Sequence, residues 1–497
     1  MRPGIWISTL FAAEEIPSAI VTFVALLMFL QIGASTALST ALAALLFLPC
    51  ILKSFLRAWV RRAGHFREML LLIEGLICIT LFALAGAFTQ GIWYVFAALM
   101  LTSFLVAWHE LAARMYYERM LYSRQQRFYT NLKIASAQLA VILTYGVIII
   151  MVGNLEVFFR QIRHSWAMGC YVTAGAFMFF TVLHILILQS PQIGNRRRSH
   201  SMGASVMAEV HVIERIREQP DWWKYVLSIF LLLLPQSLMF FTRVHYLFDK
   251  AANGGIGCTL QEIGFAQGTV GVIAFTLGLT IGRSLMRWIP ANKLFWPMTF
   301  ILGLSPAVYL FMTIDTPATL AALCVGTFHA QLLFGLGFSI CRIPLSMISG
   351  ERYRNCANLL SVPLIASCML LPMMTSGWLV SWLCYRQFFL LNTLIAPICW
   401  LLISFCAHLL RHNVSAKMLQ KTEKHMGRRG SRKNYRWPGI YHITVNVMGQ
   451  KIVLLSQERG RKAGAETALP GPAFAHSPRL HVQPPGGNTC RVRRLQK

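Results

Sequence analysis

Glu14 and Glu15 stand side by side within the first long apolar run of the chain, just ahead of Pro17. Ionisable side chains inside apolar runs are costly and mark routes for ions or substrates. Adjacent helical positions differ by about 100°, so the two carboxylates cannot both face one cavity squarely. One lines a path; the other reaches a polar neighbour or the aqueous edge. Glu110 and Arg114 lie four apart with the acid first, the order that favours an ion pair along one helix face. Arg243 and Arg342, each near the end of an apolar run, suit an anionic substrate group and equally suit headgroups reached by snorkelling. Gln236, Gln267 and Gln331 offer neutral donors and acceptors for sugar or amide groups, or for bonds between helices. His184 and His329 read as hydrogen-bonded packing groups, with proton relay the less favoured use. The chain has no GxxxxGK[ST], no HExxH and no GxSxG, so no nucleotide engine or familiar hydrolytic constellation is expected. Its 12 Cys form no CxxC pair and no Cys/His ligand spacing, so neither a metal nor a cofactor is expected.

The elements that must position these residues are set by composition. Of 497 residues, 56% are hydrophobic and 13% charged, against roughly 25% charged in soluble domains. That excludes a soluble multidomain enzyme, and disorder over most of the chain. The 46 Lys and Arg against 18 Asp and Glu leave a net charge of +28, which in a soluble protein would suggest nucleic acid. Here the basic residues fall between apolar runs, where they orient spans and meet anionic headgroups. Membrane lipids, not nucleic acid, are the expected partners.

Twelve runs are long enough to cross a bilayer, about 20 residues each. They lie near residues 7–32, 35–57, 68–89, 91–112, 132–153, 166–189, 223–247, 262–284, 293–313, 318–341, 356–382 and 388–410. The expected fold is an all-α polytopic membrane protein with two six-helix halves, 1–189 and 223–411. A basic cytoplasmic link, 190–222, joins them and contains a surface helix over 207–219. The tail, 412–497, is basic and rich in Pro and Gly; it reads as largely disordered, although 441–456 alternates enough for a hairpin about Met448-Gly449-Gln450. Basic loops alternate with poor ones: Lys53 to Arg67, Arg114 to Lys133, Arg196 to Lys224, Arg283 to Lys293 and Arg342 to Arg354 all fall on one side. The positive-inside rule then places both termini in the cytoplasm. The first run is too long for the core of a cleavable signal and carries two acids, so none is expected. In the eighth run Gly264, Gly268, Gly271, Gly278 and Gly282 fall in one narrow helical arc, a surface for close packing and, by extension, for rocking.

Several stretches, taken in order, resemble AmpG-type muropeptide permeases and their relatives in the peptide–acetyl-coenzyme A transporter branch of the major facilitator superfamily. Leu10-Phe11-Ala12-Ala13-Glu14-Glu15-Ile16-Pro17 is similar to the family's Y-F-A-E-G-L-P opening, and Leu48-Pro49-Cys50-Ile51-Leu52-Lys53 to its L-P-W-x-x-K. Trp108-His109-Glu110-Leu111-Ala112-Ala113 resembles its fourth-span acid-x-A-A motif, and Gln267-Gly268-Thr269-Val270-Gly271 its Q-G-T-V-G. Tyr353, Leu371-Pro372 and Ser376-Gly377 resemble its eleventh-span entry and L-P-G-x-x-S-G. The likeness covers about residues 7–410. It implies a monomeric inner-membrane secondary transporter whose halves rock about a midplane site, moving an amphiphilic or anionic small-molecule solute such as a muropeptide, with protons. The chain departs from the pattern at Glu15, where relatives have Gly, at Arg114, where they carry a second acid, and at Ala330, where they often carry Glu. Fewer membrane acids leave Glu14 as the first candidate for proton coupling and Glu110 as the second. The alternative is a non-transporting membrane sensor or scaffold derived from a transporter, with the basic tail as its output.

Overall fold

A hydrocarbon environment offers no partner to a free peptide group, so each apolar run must close its backbone hydrogen bonds internally as a helix. The computed structural model describes residues 3–63, 65–189, 222–289, 291–404, 441–447 and 450–456, with isolated positions between 207 and 218. Among them are twelve helices long and apolar enough to span a membrane. In the first half these are α1 (Pro3–Gln31), α2 (Thr36–Arg57), α3 (Phe66–Gln90), α4 (Ile92–Met120), α5 (Thr130–Phe159) and α6 (Ile162–Ile187). The second half has α7 (Trp222–Phe248), α8 (Leu260–Trp288), α9 (Lys293–Ile314), α10 (Leu320–Phe338), α11 (Ser361–Trp382) and α12 (Tyr385–Ser404). The helix containing α11 starts at Arg342, so the basic stretch expected as a loop before residue 356 is helical. The central link and its expected surface helix fall largely outside the described residues.

Local chemistry sets the ends and breaks. Gly33 and Gly91, at φ 102° and 128°, carry the turns from α1 to α2 and from α3 to α4, conformations open to glycine. The Ser35 side chain accepts from Leu38 N at the start of α2. Thr259 and Glu262 form a reciprocal capping box that opens α8. Helix α2 is interrupted at Leu46 and Phe47, just ahead of Pro49, which has no N–H to donate. Ser103 Oγ of α4 donates to the Leu46 carbonyl at 2.6 Å and satisfies that break.

The core of each half is apolar, and large apolar side chains such as Leu72, Ile79, Phe179 and Leu186 point outward, where lipid is the natural solvent. Within the first half α3 packs on α4 and α6, and α1 on α5; within the second, α8 and α9 pack on α10 and α7 on the α11 helix. The halves meet along two seams, α2 against the α11 helix and α5 against α8.

The glycines of α8 explain how close one seam becomes, but they do not share one arc. Gly264 and Gly268 face α5, where an added Cβ would strike backbone at Gly146 and Tyr145; Gly278 and Gly282 face α10 at Leu332 to Ser339. Gly271 sits against Thr327 and Gln331 of α10. The reason is that Gly264–Gly271 is a π-helical segment, whose wider turn shifts the phase of everything after it. Gly268→Ala is therefore expected to cost about 1–3 kcal/mol through overpacking, read as a lowered thermal midpoint in detergent. Gly86→Ala, with nothing within 4 Å of the new Cβ, is expected to leave that midpoint unchanged or slightly raised. In the tail, Tyr441–Val447 pairs antiparallel with Gln450–Ser456, with Val447 opposite Gln450.

Candidate functional site

Three π-helical segments interrupt the spans: Ile20–Val24 in α1, Ile142–Ile148 at the middle of α5 and Gly264–Gly271 near the start of α8. The second and third pack against each other. Such segments recur at functional sites because the extra residue loosens the backbone ladder. The α5–α8 seam closes with polar contacts, Gln138 with Thr276 at 2.9 Å and Gln261 with Asn154 at 3.2 Å, and on the side of the other seam Thr40 of α2 meets His245 Nε2 of α7 at 2.8 Å. The contacts at Gly268 and at Gly377, which abuts Thr36 and Thr40, leave no room for side chains.

Aromatic rings from both halves meet at this level. Phe23 stacks on Tyr145 at 5.0 Å and on Phe240 at 6.0 Å, while Phe47 meets Phe240 edge-on at 5.8 Å. The Arg243 guanidinium lies 5.2 Å from the Phe240 ring centre. It is only 7% exposed, and its Nε has no hydrogen-bond partner. The snorkelling alternative for Arg243 therefore fails: α7 holds it inside the protein. In the second half, Gln267 donates to the Tyr309 hydroxyl at 3.2 Å, and Gln331 donates to Gln267 Oε1 at 3.4 Å. Buried Thr144 and Thr327 hydroxyls have no partner. Rings to stack on, a buried cation with a free donor, and amide and hydroxyl groups make a recognition surface. Among these side chains no nucleophile is paired with a base. Gln236 donates instead to the Leu302 carbonyl at 2.7 Å, a bond between helices.

The acids are placed differently from one another. Glu14 is buried at 6% exposure, and its Oε2 has no partner; Glu15 is half-buried. The expected Glu110–Arg114 pair does not form. Glu110 pairs with Lys53 of α2, and Arg114 turns to Glu118 at 3.2 Å, because α2 packs against α4 and presents an ammonium directly to Glu110. The side chain of Arg342 lies outside the described residues. Sequence reasoning placed Lys133 only among loop charges, and Lys53 among them and at the end of the L-P-W-x-x-K-like stretch. Both are buried, and Lys133 Nζ sits 3.8 Å from the Phe11 ring centre and 5.4 Å from that of Tyr117. It missed Glu74, Tyr145 and Tyr309 altogether, although an acid within the third apolar run was a visible signal. Glu74 accepts from His109 and from His184, so His184 is hydrogen-bonded as expected. His329 bonds the Val325 carbonyl at 2.7 Å.

The chain folds like solved transporters. The nucleoside transporter NupG superposes with a TM-score of 0.64 at 13% identity, covering 82% of this chain and 99% of that one. A POT family transporter in complex with a thioalcohol-conjugated peptide gives 0.61 at 11% identity, covering 82% and 96%. The xylose transporter XylE from E. coli, in an inward open conformation, gives 0.54 at 12% identity, covering 80% and 94%. The fold is the major facilitator type. No family model matches the chain, and no curated protein matches its sequence.

Proposed function

We propose that this chain is a secondary transporter of the cell inner membrane that moves a small, anionic, ring-bearing solute along the seam between its halves. The observation that carries the reading is Arg243, buried against Phe240 with a free Nε at the level where rings from both halves meet. A guanidinium in such a setting favours carboxylate or phosphate, and the Phe23–Tyr145–Phe240 stack favours a ring face. The Gln267–Gln331–Tyr309 group supplies amide and hydroxyl partners. A muropeptide combines sugar rings, amides and carboxylates, so the resemblance to AmpG-type permeases and the chemistry of the seam agree. Glu14 is the proton-coupling group of this reading, both termini are cytoplasmic, and the chain works as a monomer among lipids.

Uptake of labelled anhydromuropeptide into vesicles, with and without a proton gradient, tests the substrate class; no specific accumulation under either condition overturns it. Arg243→Gln is expected to weaken solute binding by about 10- to 100-fold, the value of one charge-assisted hydrogen bond to an ionised group. The measurement is the half-saturating concentration for counterflow, and an unchanged value removes Arg243 from the site.

A further inference from the structure

We propose that Glu74, His109 and His184 form a proton-binding site inside the first half, apart from the seam and beyond the transport reading. The three come from α3, α4 and α6. Glu74 and His184 are fully buried, and His109 is 1% exposed. Both imidazoles converge on one oxygen: His109 Nε2 lies 3.1 Å and His184 Nδ1 2.8 Å from Glu74 Oε1. An ionised carboxylate oxygen only accepts, so each imidazole must turn an N–H toward it, which fixes both tautomers. Three atoms with lone pairs are then left over. Glu74 Oε2, His109 Nδ1 and His184 Nε2 are all buried without a partner, and buried polar groups left in that state call for an explanation.

Charge supplies it. With both imidazoles neutral, the cluster holds one net negative charge in an apolar surround. One proton, taken by either imidazole, cancels that charge and strengthens its bond to Glu74; a second proton would leave a net positive charge. The site is built for one exchangeable proton shared among three groups.

The neighbouring charges are already engaged. On α4, Glu110 pairs with Lys53 of α2, and Arg114 with Glu118. On α3, Arg67 donates to the Leu188 and Ile185 carbonyls near the end of α6, and Glu68 has partners of its own. Arg57 of α2 is likewise partnered. The Cys78 thiol lies 3.9 Å from the Thr181 hydroxyl. No Lys or Arg is paired with Glu74 among the described residues. From α1, Glu14 lies within electrostatic reach of His109, as it does of Lys133.

The test needs no transport substrate, so its failure is distinct from failure of the transport reading. Full-length protein labelled with 15N-histidine is reconstituted in lipid nanodiscs and followed by NMR from about pH 5 to about pH 9, the range histidine samples. The two resonances are assigned by their loss in His109→Asn and His184→Asn. At least one imidazole is expected to take a proton in this range, and Glu74→Gln to abolish that step or move its midpoint by about one pH unit or more. If neither imidazole changes protonation, or if the step is unmoved in Glu74→Gln, the proposal is overturned. Should Glu74→Gln not yield monodisperse protein, the His109 signal in His184→Asn carries the same test. Removing one sharer is expected to move the midpoint, and an unmoved midpoint overturns the proposal.

Discussion

Glu14→Gln is expected to abolish accumulation of labelled muropeptide driven by a proton gradient, while exchange of solute down its own gradient continues. The Glu14 carboxyl is buried in α1 with a free Oε2, and glutamine preserves its shape while removing the exchangeable proton. The nearest basic group on α5, Lys133, is held over the faces of Phe11 and Tyr117. Just beyond Glu14 comes Pro17, which cannot donate a backbone hydrogen bond. The π-helical segment Ile20–Val24 then begins. This stretch of α1 has the weakest backbone ladder and an acid at its edge, the combination through which a protonation change can alter helix packing. The measurement compares driven uptake with counterflow in the same vesicles. The assignment to Glu14 is wrong if Glu14→Gln accumulates solute like the native chain while Glu15→Gln or Glu110→Gln does not.

Lys53→Met is expected to cost about 3–5 kcal/mol, the penalty for stranding one member of a buried ion pair. The side chains of Lys53 and Glu110 are 9% and 17% exposed, and the pair ties α2 to α4 beneath the break at Leu46 and Phe47. Without the ammonium, the largely buried Glu110 carboxylate loses its ion-pair partner. Lys53→Met combined with Glu110→Gln removes both charges and is expected to recover most of the loss. Unfolding midpoints for the two single variants and the double variant give the coupling energy directly. A midpoint for Lys53→Met equal to that of the native chain would show that Glu110 has another partner.

The twelve spans were legible in the sequence because the requirement is one-dimensional. A lipid core demands about 20 apolar residues with every backbone group satisfied locally, and charged residues must fall in the gaps. The same logic singled out Glu14, Arg243, Gln267 and Gln331, polar groups placed where they are expensive. It did not say what each would touch. Gln267 and Gln331 were separate candidates until α8 packed on α10. Glu110 was assigned to Arg114, its neighbour along the helix, whereas Lys53 on another helix holds it. Glu74 was visible as an acid inside the third apolar run, but its partners, His109 and His184, lie on two other helices and could not be read from spacing. The glycine arc of α8 was drawn with a uniform helical step that the π-helical segment does not keep.

The length of the apolar runs and the charges between them thus determined that this protein spans the membrane as twelve helices, where the basic segments fall, and which residues are out of place in lipid. Tertiary structure alone decided the partners. Contacts between helices depend on how far each is rotated and where its ladder is interrupted, and α-helical spacing in the sequence records neither.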